Sequence, residues 1–189
     1  GPANRATLDY VMQLTAQGYR VFPLLGNHEY NLLDALENYD RRYLRMYLKQ
    51  MKALDLLDMT GSVPEKYLAF IFELPHYLIT EDTLFVHGGF DFTSPDRFVP
   101  NQHLLERRHT TYLAEAAGHR RVIHGHQPTP AQEIEQAYAQ KAPVLPLDAG
   151  CVYAYSRPKK AIANGHGYLA VLELTQWRLT LVPNREFLP

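Results

Sequence analysis

Three short polar segments contain the residues best suited to chemistry. They are Gly-Asn-His-Glu at residues 26–29, Val-His-Gly-Gly at 86–89 and His-Gly-His-Gln-Pro at 124–128. Imidazole nitrogens and amide oxygens are neutral ligands that suit divalent ions such as Mn²⁺, Fe²⁺ or Zn²⁺. We therefore expect Asn27, His87 and His126 to supply three ligands to one metal ion. His28 would then lie beside whatever that ion binds, where an imidazole can protonate a leaving oxygen.

Each polar segment directly follows an apolar run that predicts a β-strand. The runs cover residues 19–25, 83–86 and 121–123. Open α/β sheets build their sites at the carboxyl ends of strands, where these segments would lie. A glycine beside each expected ligand allows a tight turn and a close approach of the backbone to a bound group. The sequence therefore predicts one metal site at which three strand ends meet.

The other elements predict an α/β protein with an antiparallel C-terminal part. Helical spacing of apolar residues covers 3–17, 31–57 (one long helix or two shorter ones), 64–73, 101–117 and 131–140. Strand patterns cover 76–80, 144–155, 167–174 and 177–182, and both 76–86 and 167–182 have the form of a hairpin. No linker or internal repeat interrupts the chain. We therefore expect one domain over residues 1–189.

Composition excludes several classes of protein. The 189 residues are enough for one domain with a sizeable core. The net charge of −1 gives no electrostatic basis for binding nucleic acid or an anionic membrane surface. No apolar stretch reaches the roughly 20 residues that a membrane-spanning helix requires. Cys151 is the only cysteine, so an internal disulfide is excluded, and a reducing, cytoplasmic location with Cys151 buried as a small apolar residue is expected.

The three polar segments resemble the later metal motifs of the calcineurin-like metallophosphoesterases. The closer resemblance is to the phosphoprotein (Ser/Thr) phosphatase branch found in bacteria and phages. It extends over essentially the whole chain and includes Leu-Asp-Ala-Gly-Cys-Val-Tyr at residues 147–153. The resemblance implies a sandwich of two mixed β-sheets flanked by helices. It also implies two divalent metal ions, with Mn²⁺ expected and Fe or Zn as alternatives, and a metal-bound hydroxide that attacks phosphorus directly.

The resemblance assigns roles to individual residues. Asn27, His87 and His126 would bind one metal of the two-metal centre, and His28 would be the general acid. Glu29 would hold the loop of its motif by hydrogen bonds.

Two further roles follow from the same resemblance. The family places a phosphate-binding arginine between its second and third motifs, which favours Arg108, with Arg107 in reserve. The alternative is a surface helix with solvated arginines. Asp148 would orient a ligand histidine from outside the coordination sphere.

The opening motifs of the family, Gly-Asp-x-His-Gly and Gly-Asp-x-x-Asp-Arg, do not occur in this sequence. The first residue is Gly1 rather than Met, and its surroundings resemble the residues that follow the second of those motifs. We therefore expect an N-terminally truncated domain without its first strand–helix–strand unit. Such a chain should bind metal weakly and be a poor catalyst when it is alone.

The implied activity is the hydrolysis of phosphomonoesters, with serine/threonine protein phosphatase as the specific expectation. The substrate would be a phosphorylated protein or a small phosphoester. One alternative is a symmetrical dinucleoside tetraphosphatase, although that group resembles Gly-Asn-His-Asp where this chain has Glu29. Another alternative is a non-catalytic binding module that retains the fold. The retention of His28 and of three metal ligands opposes this second alternative.

Overall fold

The computed structural model of the protein describes residues 3–185. Its backbone contacts divide the chain into two compact units, Gly1–Pro75 and His76–Pro189. The expectation of a single domain stays a prediction. Among the described residues, no helix combines the length and the apolar character needed to cross a membrane.

The first unit is helical. Its elements are α1 (Asn4–Ala16), α2 (Asn27–Asn38), α3 (Arg41–Gln50), a 3₁₀ turn (Leu54–Leu56) and α4 (Glu65–Phe72). Helix α2 contacts α3 and α4, and α1 contacts the 3₁₀ turn. Leu32, Leu48, Tyr67 and Ile71 are buried in this unit. The predicted helices at 3–17 and 64–73 are confirmed, and the segment 31–57 forms two helices rather than one.

The strand predicted at residues 19–25 is wrong. This segment belongs to no helix or strand, and its backbone hydrogen bonds run from Tyr19 N to Leu14 O (3.1 Å) and from Leu25 N to Pro75 O (2.9 Å). A β-strand needs a neighbouring strand that pairs with it repeatedly along its length. The described residues of the first unit contain no such strand. The segment therefore leads into α2 as irregular coil.

The second unit contains a four-stranded sheet. Its strands are β1 (Tyr77–Ile79), β2 (Thr83–Val86), β3 (Arg121–His124) and β4 (Val144–Pro146), and they lie side by side in that order. β1 is antiparallel to β2, whereas β2, β3 and β4 are parallel. Leu84, Val86 and Val122 are buried together with Phe90. The predicted β1–β2 hairpin and the strand before residue 124 are confirmed.

The described residues of the second unit also form four helices and a smaller antiparallel sheet. These are α5 (His103–Glu106), α6 (Ala131–Ala139), α7 (Cys151–Ser156), α8 (Pro158–Ala163), β5 (Tyr168–Glu173) and β6 (Arg178–Pro183). β5 and β6 pair as the predicted hairpin. Helix α6 contacts both β4 and β6. The expected mixed α/β class with two sheets and flanking helices is confirmed.

Two predicted elements of this unit are wrong. The helix expected at 101–117 is only the single turn of α5, because the chain then pairs Thr111 N with Phe90 O (3.0 Å) and Phe92 N with Thr111 O (3.0 Å). The strand expected at 144–155 ends at Pro146. Gly150 has φ +64°, which no strand adopts, and α7 begins at the next residue. Cys151 therefore lies on a helix and is partly exposed rather than buried.

Candidate metal centre

His87 and His126 lie against each other in the second unit. β2 and β3 are parallel with Val86 opposite His124, so the residues after both strands leave the same edge of the sheet. Gly125 N donates to His87 O at 2.9 Å, which joins the two turns. The Nε2 atom of His87 is 3.2 Å from the Nδ1 atom of His126. The structure thus brings together two of the three predicted ligands.

The spacing of these two nitrogens fits two ligands of one metal ion. Imidazole nitrogens bind Zn²⁺ at about 2.0–2.1 Å, so two of them lie about 3.3–3.4 Å apart in a tetrahedral site and about 2.9 Å apart at a right angle. The observed 3.2 Å lies between these values. Among residues 3–185 there is no cluster of three or more His, Cys, Asp or Glu side chains arranged to hold a metal. The pair could therefore provide at most two of the ligands that an ion needs, and the metal role of both histidines stays a prediction.

His126 has an unusual backbone conformation. Its φ is +64°, in the left-handed region that side chains other than glycine seldom adopt. Such a residue costs about 1–3 kcal/mol and is found preferentially at functional sites. Hydrogen bonds from Gln127 N to Gly125 O (2.7 Å) and from Thr129 Oγ1 to Gln127 O (3.0 Å) hold the turn closed around it. These hydrogen bonds therefore maintain both the strained backbone of His126 and the position of its ring.

Gly88 allows the turn after β2 to lie against the end of α5. Gly88 N and Gly89 N both donate to Leu104 O, at 2.9 and 3.2 Å. A Cβ atom on Gly88 would be 2.7 Å from Leu104 O and 2.8 Å from Leu105 O, which are backbone atoms without freedom to move aside. The sequence predicted a tight turn at this glycine. The stronger requirement is the close approach of a second backbone, which the motif alone does not reveal.

The two candidate arginines lie in different surroundings. Arg107 Nη2 is 2.9 Å from Asp91 Oδ2, and both side chains are partly exposed. The Thr93 hydroxyl is the main cause that lowers the pKa of Asp91, and the charge of Arg107 lowers it further. Arg108 is exposed and takes part in none of the ion pairs among the described residues. Arg107 is thus paired with Asp91, and the assignment of Arg108 to phosphate stays a prediction.

Backbone hydrogen bonds hold the arginine segment beside the His87 turn. Leu104 O accepts from that turn on one side of the two arginines. On the other side, Thr110 Oγ1 accepts from Phe90 N at 3.2 Å. The segment 105–109 is therefore fixed at both ends against the loop that follows His87.

His124 and Asp148 support the turn that contains His126. His124 is buried, and its Nδ1 donates to Gly125 O at 3.1 Å. Burial holds the pKa of His124 below its ordinary value, so this ring is neutral near pH 7. Asp148 O accepts from Thr129 N (2.8 Å), and Asp148 Oδ1 accepts from Gly150 N (2.9 Å). The burial of His124 gives it a structural role, whereas the orientation of a ligand histidine by Asp148 stays a prediction.

Asn27, His28 and Glu29 form the first turn of α2 in the first unit. Asn27 is the first helical residue rather than part of a turn, and Gly26 is the N-cap. The amides at the start of a helix have no partner within the helix, and the helix dipole makes this end positive. His28 is exposed, and Asn27 and Glu29 are partly buried. These three residues belong to a different unit from His87 and His126, so a shared centre stays a prediction.

Tyr47 is a supporting residue that the sequence did not reveal. Its hydroxyl donates to His28 O at 3.0 Å. Burial raises the pKa of Tyr47 to about 12, with a further contribution from the charge of Glu29, so the hydroxyl stays protonated. Tyr39 and Tyr43, which share a four-residue spacing with Tyr47, stack on each other at the surface. Nothing in their spacing distinguishes the one that binds the His28 carbonyl.

A comparison with protein families supports the predicted chemistry. A family model described as calcineurin-like phosphoesterase matches residues 1–166, which include all the predicted site residues. Neither the comparison with curated proteins nor that with solved structures gave a match.

Proposed function

The chain belongs to the calcineurin-like phosphoesterase family, and from this premise we propose that it hydrolyses phosphomonoesters, with phosphoserine or phosphothreonine in proteins as substrate. Metal-dependent hydrolysis of phosphoesters is the general activity of this family. The observation that carries the proposal is the 3.2 Å spacing of His87 Nε2 and His126 Nδ1 at the carboxyl ends of parallel strands. Two neutral imidazoles this close, within the matched region, favour a divalent metal.

His87, His126 and Asn27 would hold one of two divalent ions, for which Mn²⁺ is our first candidate. When bound, such ions polarise phosphoryl oxygens and lower the pKa of water. The left-handed conformation of His126 and the contact between Gly88 and Leu104 hold the two histidine turns in place. The chain therefore keeps both rings in position before an ion is bound, which reduces the reorganisation that binding requires.

His28 would donate a proton to the leaving oxygen from the first turn of α2. Its exposure leaves the ring accessible to a substrate. The positive end of this helix's dipole favours a phosphate group nearby. Arg108 would bind two phosphate oxygens through its planar guanidinium, as Arg107 is paired with Asp91. Glu29 and Tyr47 act on the same helical turn and would keep it rigid.

The proposal is tested by phosphate release from 4-nitrophenyl phosphate with and without Mn²⁺. We expect weak but Mn²⁺-dependent turnover that His87→Ala and His126→Ala each remove. His119→Ala is the matched control, because His119 also has a left-handed backbone (φ +58°) but lies outside the three motifs. Turnover that survives chelation of the metal, or that is lost equally in the His119 variant, would count against the proposal.

The substrate class is tested by a second pair of assays. A phosphoserine peptide and diadenosine tetraphosphate are compared at equal concentration with the same protein. We expect faster phosphate release from the peptide. Faster cleavage of the dinucleotide would replace the protein phosphatase by a dinucleoside tetraphosphatase. Mn²⁺ binding without turnover of either substrate would favour the non-catalytic module.

A further inference from the structure

A cavity in the second unit has a lining unlike that of the candidate metal centre. Its volume is about 210 Å³, and it is lined by Tyr153, Arg157, Lys160, Ala161, Asn164 and His166. These residues come from α7, from Arg157 between α7 and α8, from α8 and from the turn after α8. None of them belongs to the predicted metal ligands or to the predicted phosphate-binding arginine. The lining contains two cations, an amide and an imidazole, but no carboxylate.

The chain around this cavity is positively charged. Between residues 150 and 172 the sequence has Arg157, Lys159 and Lys160 but no Asp or Glu. In the part of the chain that the structure describes, none of the ion pairs uses these three cations. Cations that gather without acidic partners raise the local concentration of anions. The occupant that this lining fits is therefore an anion.

His166 is held firmly at the cavity. His166 N donates to Ala161 O (2.9 Å), and Gly167 N donates to Ala149 O (3.0 Å). The His166 ring meets Tyr153 edge-on with 5.5 Å between ring centroids. Gly150 permits this packing, because a Cβ atom there would lie 3.0 Å from His166 Cβ and 3.1 Å from a ring carbon of Tyr153. The imidazole therefore occupies a defined position.

The His166 ring also has an unsatisfied polar atom. Its Nδ1 is shielded from solvent and has no hydrogen-bond partner among the described residues. Because this atom is shielded, His166 contributes a wall of the cavity, and the oxygens of an anion would bind Arg157 and Lys160 instead.

We propose that this cavity binds the phosphate group of a small phosphate compound through Arg157 and Lys160, with His166 as part of its wall. One water needs about 10–15 Å³ of space for its centre, so the cavity has room for a phosphate with a short organic substituent. Arginine and lysine are the side chains that bind phosphate oxygens most strongly. The site is separate from the histidine pair, and the proposal does not depend on the proposed hydrolase activity.

The test is isothermal titration calorimetry of inorganic phosphate and O-phosphoserine into the full chain, in buffer freed of metal by a chelating resin. Arg157→Ala and Lys160→Ala should each weaken binding about tenfold, the equivalent of one charge-assisted hydrogen bond. Lys159→Ala is the matched control: it removes the same charge from the neighbouring position but does not line the cavity. We expect this variant to bind within twofold of the wild type. Arg157 and Lys160 are exposed, so the variants should keep the fold, which circular dichroism checks.

Four outcomes decide the proposal. Tighter binding of O-phosphoserine assigns the site to phosphomonoesters, and equal or tighter binding of inorganic phosphate assigns it to the free ion; both support it. Equal weakening by Lys159→Ala and Lys160→Ala would overturn it in favour of general charge attraction. The absence of binding at millimolar ligand would also overturn it. His87→Ala should leave the affinity unchanged, which separates this site from the metal centre.

Discussion

The Nε2 atom of His87 lies 3.2 Å from the Nδ1 atom of His126, and His126 has a left-handed backbone with φ +64°. The two facts are related, because the turn that places the second ring is closed by hydrogen bonds that leave His126 in this conformation. An ordinary site for a side chain would not need such strain. Substitutions at position 126 can separate the energetic cost of the left-handed backbone from the contribution of the imidazole ring to metal binding.

His126→Gly and His126→Ala both remove the ring, but only glycine adopts φ +64° without penalty. We expect the glycine variant to be the more stable by about 1 kcal/mol in urea unfolding. At an ordinary φ the order would be reversed, because glycine gives the unfolded chain more conformational freedom than alanine. A more stable alanine variant would therefore show that position 126 is not strained. Both variants should lose metal binding to the same extent.

Gly88→Ala and Gly125→Ala form a matched pair beside the two histidines. A Cβ atom on Gly88 would lie 2.7 Å from Leu104 O, whereas one on Gly125 would lie 3.7 Å from His87 O, an ordinary contact. Gly88→Ala must move backbone and should lower the free energy of unfolding by about 1–3 kcal/mol. Gly125→Ala should stay within about 0.5 kcal/mol of the wild type. Urea unfolding checks this, and equal effects of the two substitutions would contradict the packing at Gly88.

The sequence predicted the location of the histidine pair for a physical reason. Apolar runs before His87 and His124 indicate strands buried in a sheet, and neighbouring parallel strands end at the same edge. The register that sets Val86 opposite His124 then brings His87 and His126 together. The prediction depended only on local pattern and on the geometry common to parallel sheets.

The wrong predictions concern segments whose structure depends on a distant partner. Residues 19–25 have an apolar strand pattern, but their amides find single partners such as Pro75 rather than a paired strand. Residues 107–117 have a helical pattern, but Thr111 forms hydrogen bonds with Phe90 and Phe92 instead. The hydroxyl of Tyr47 likewise reaches a carbonyl 19 residues away along the chain. Local periodicity contains no information about such partners.

Asp9 makes the stability of the first unit depend on pH. Asp9 Oδ1 lies 2.7 Å from Lys66 Nζ, and the hydroxyl of the buried Tyr67 donates to the same carboxylate at 2.9 Å. Lys66 first and Tyr67 second hold the pKa of Asp9 below its ordinary value of 3.8. A lowered pKa means that the unfolded state binds the proton more readily. The stabilisation is therefore present above pH 3.8 and is lost as the pH falls through the lower pKa of the folded state.

Asp9→Asn tests this dependence. The amide still accepts a hydrogen bond from Tyr67, but it has no charge for Lys66 and does not titrate. We expect the wild type to be the more stable at pH 6 and the two proteins to converge as the pH is lowered below 3.8. Thermal unfolding over this range checks the prediction. A stability difference that stays constant with pH would show that the carboxylate charge has no part in it.

His28→Asn tests the general acid assigned to the first turn of α2. Asparagine keeps a polar side chain at an exposed position, so the fold should be unaffected. A positioned general acid contributes about 10²–10⁴ to the rate, and we expect kcat to fall by that factor while bound Mn²⁺ is retained. Tyr47→Phe removes only the hydrogen bond to His28 O and should lower kcat by less than tenfold. An equal loss of bound metal and of turnover in His28→Asn would make His28 a metal ligand. Unchanged turnover would remove His28 from the mechanism. In either case the proton must come from another group.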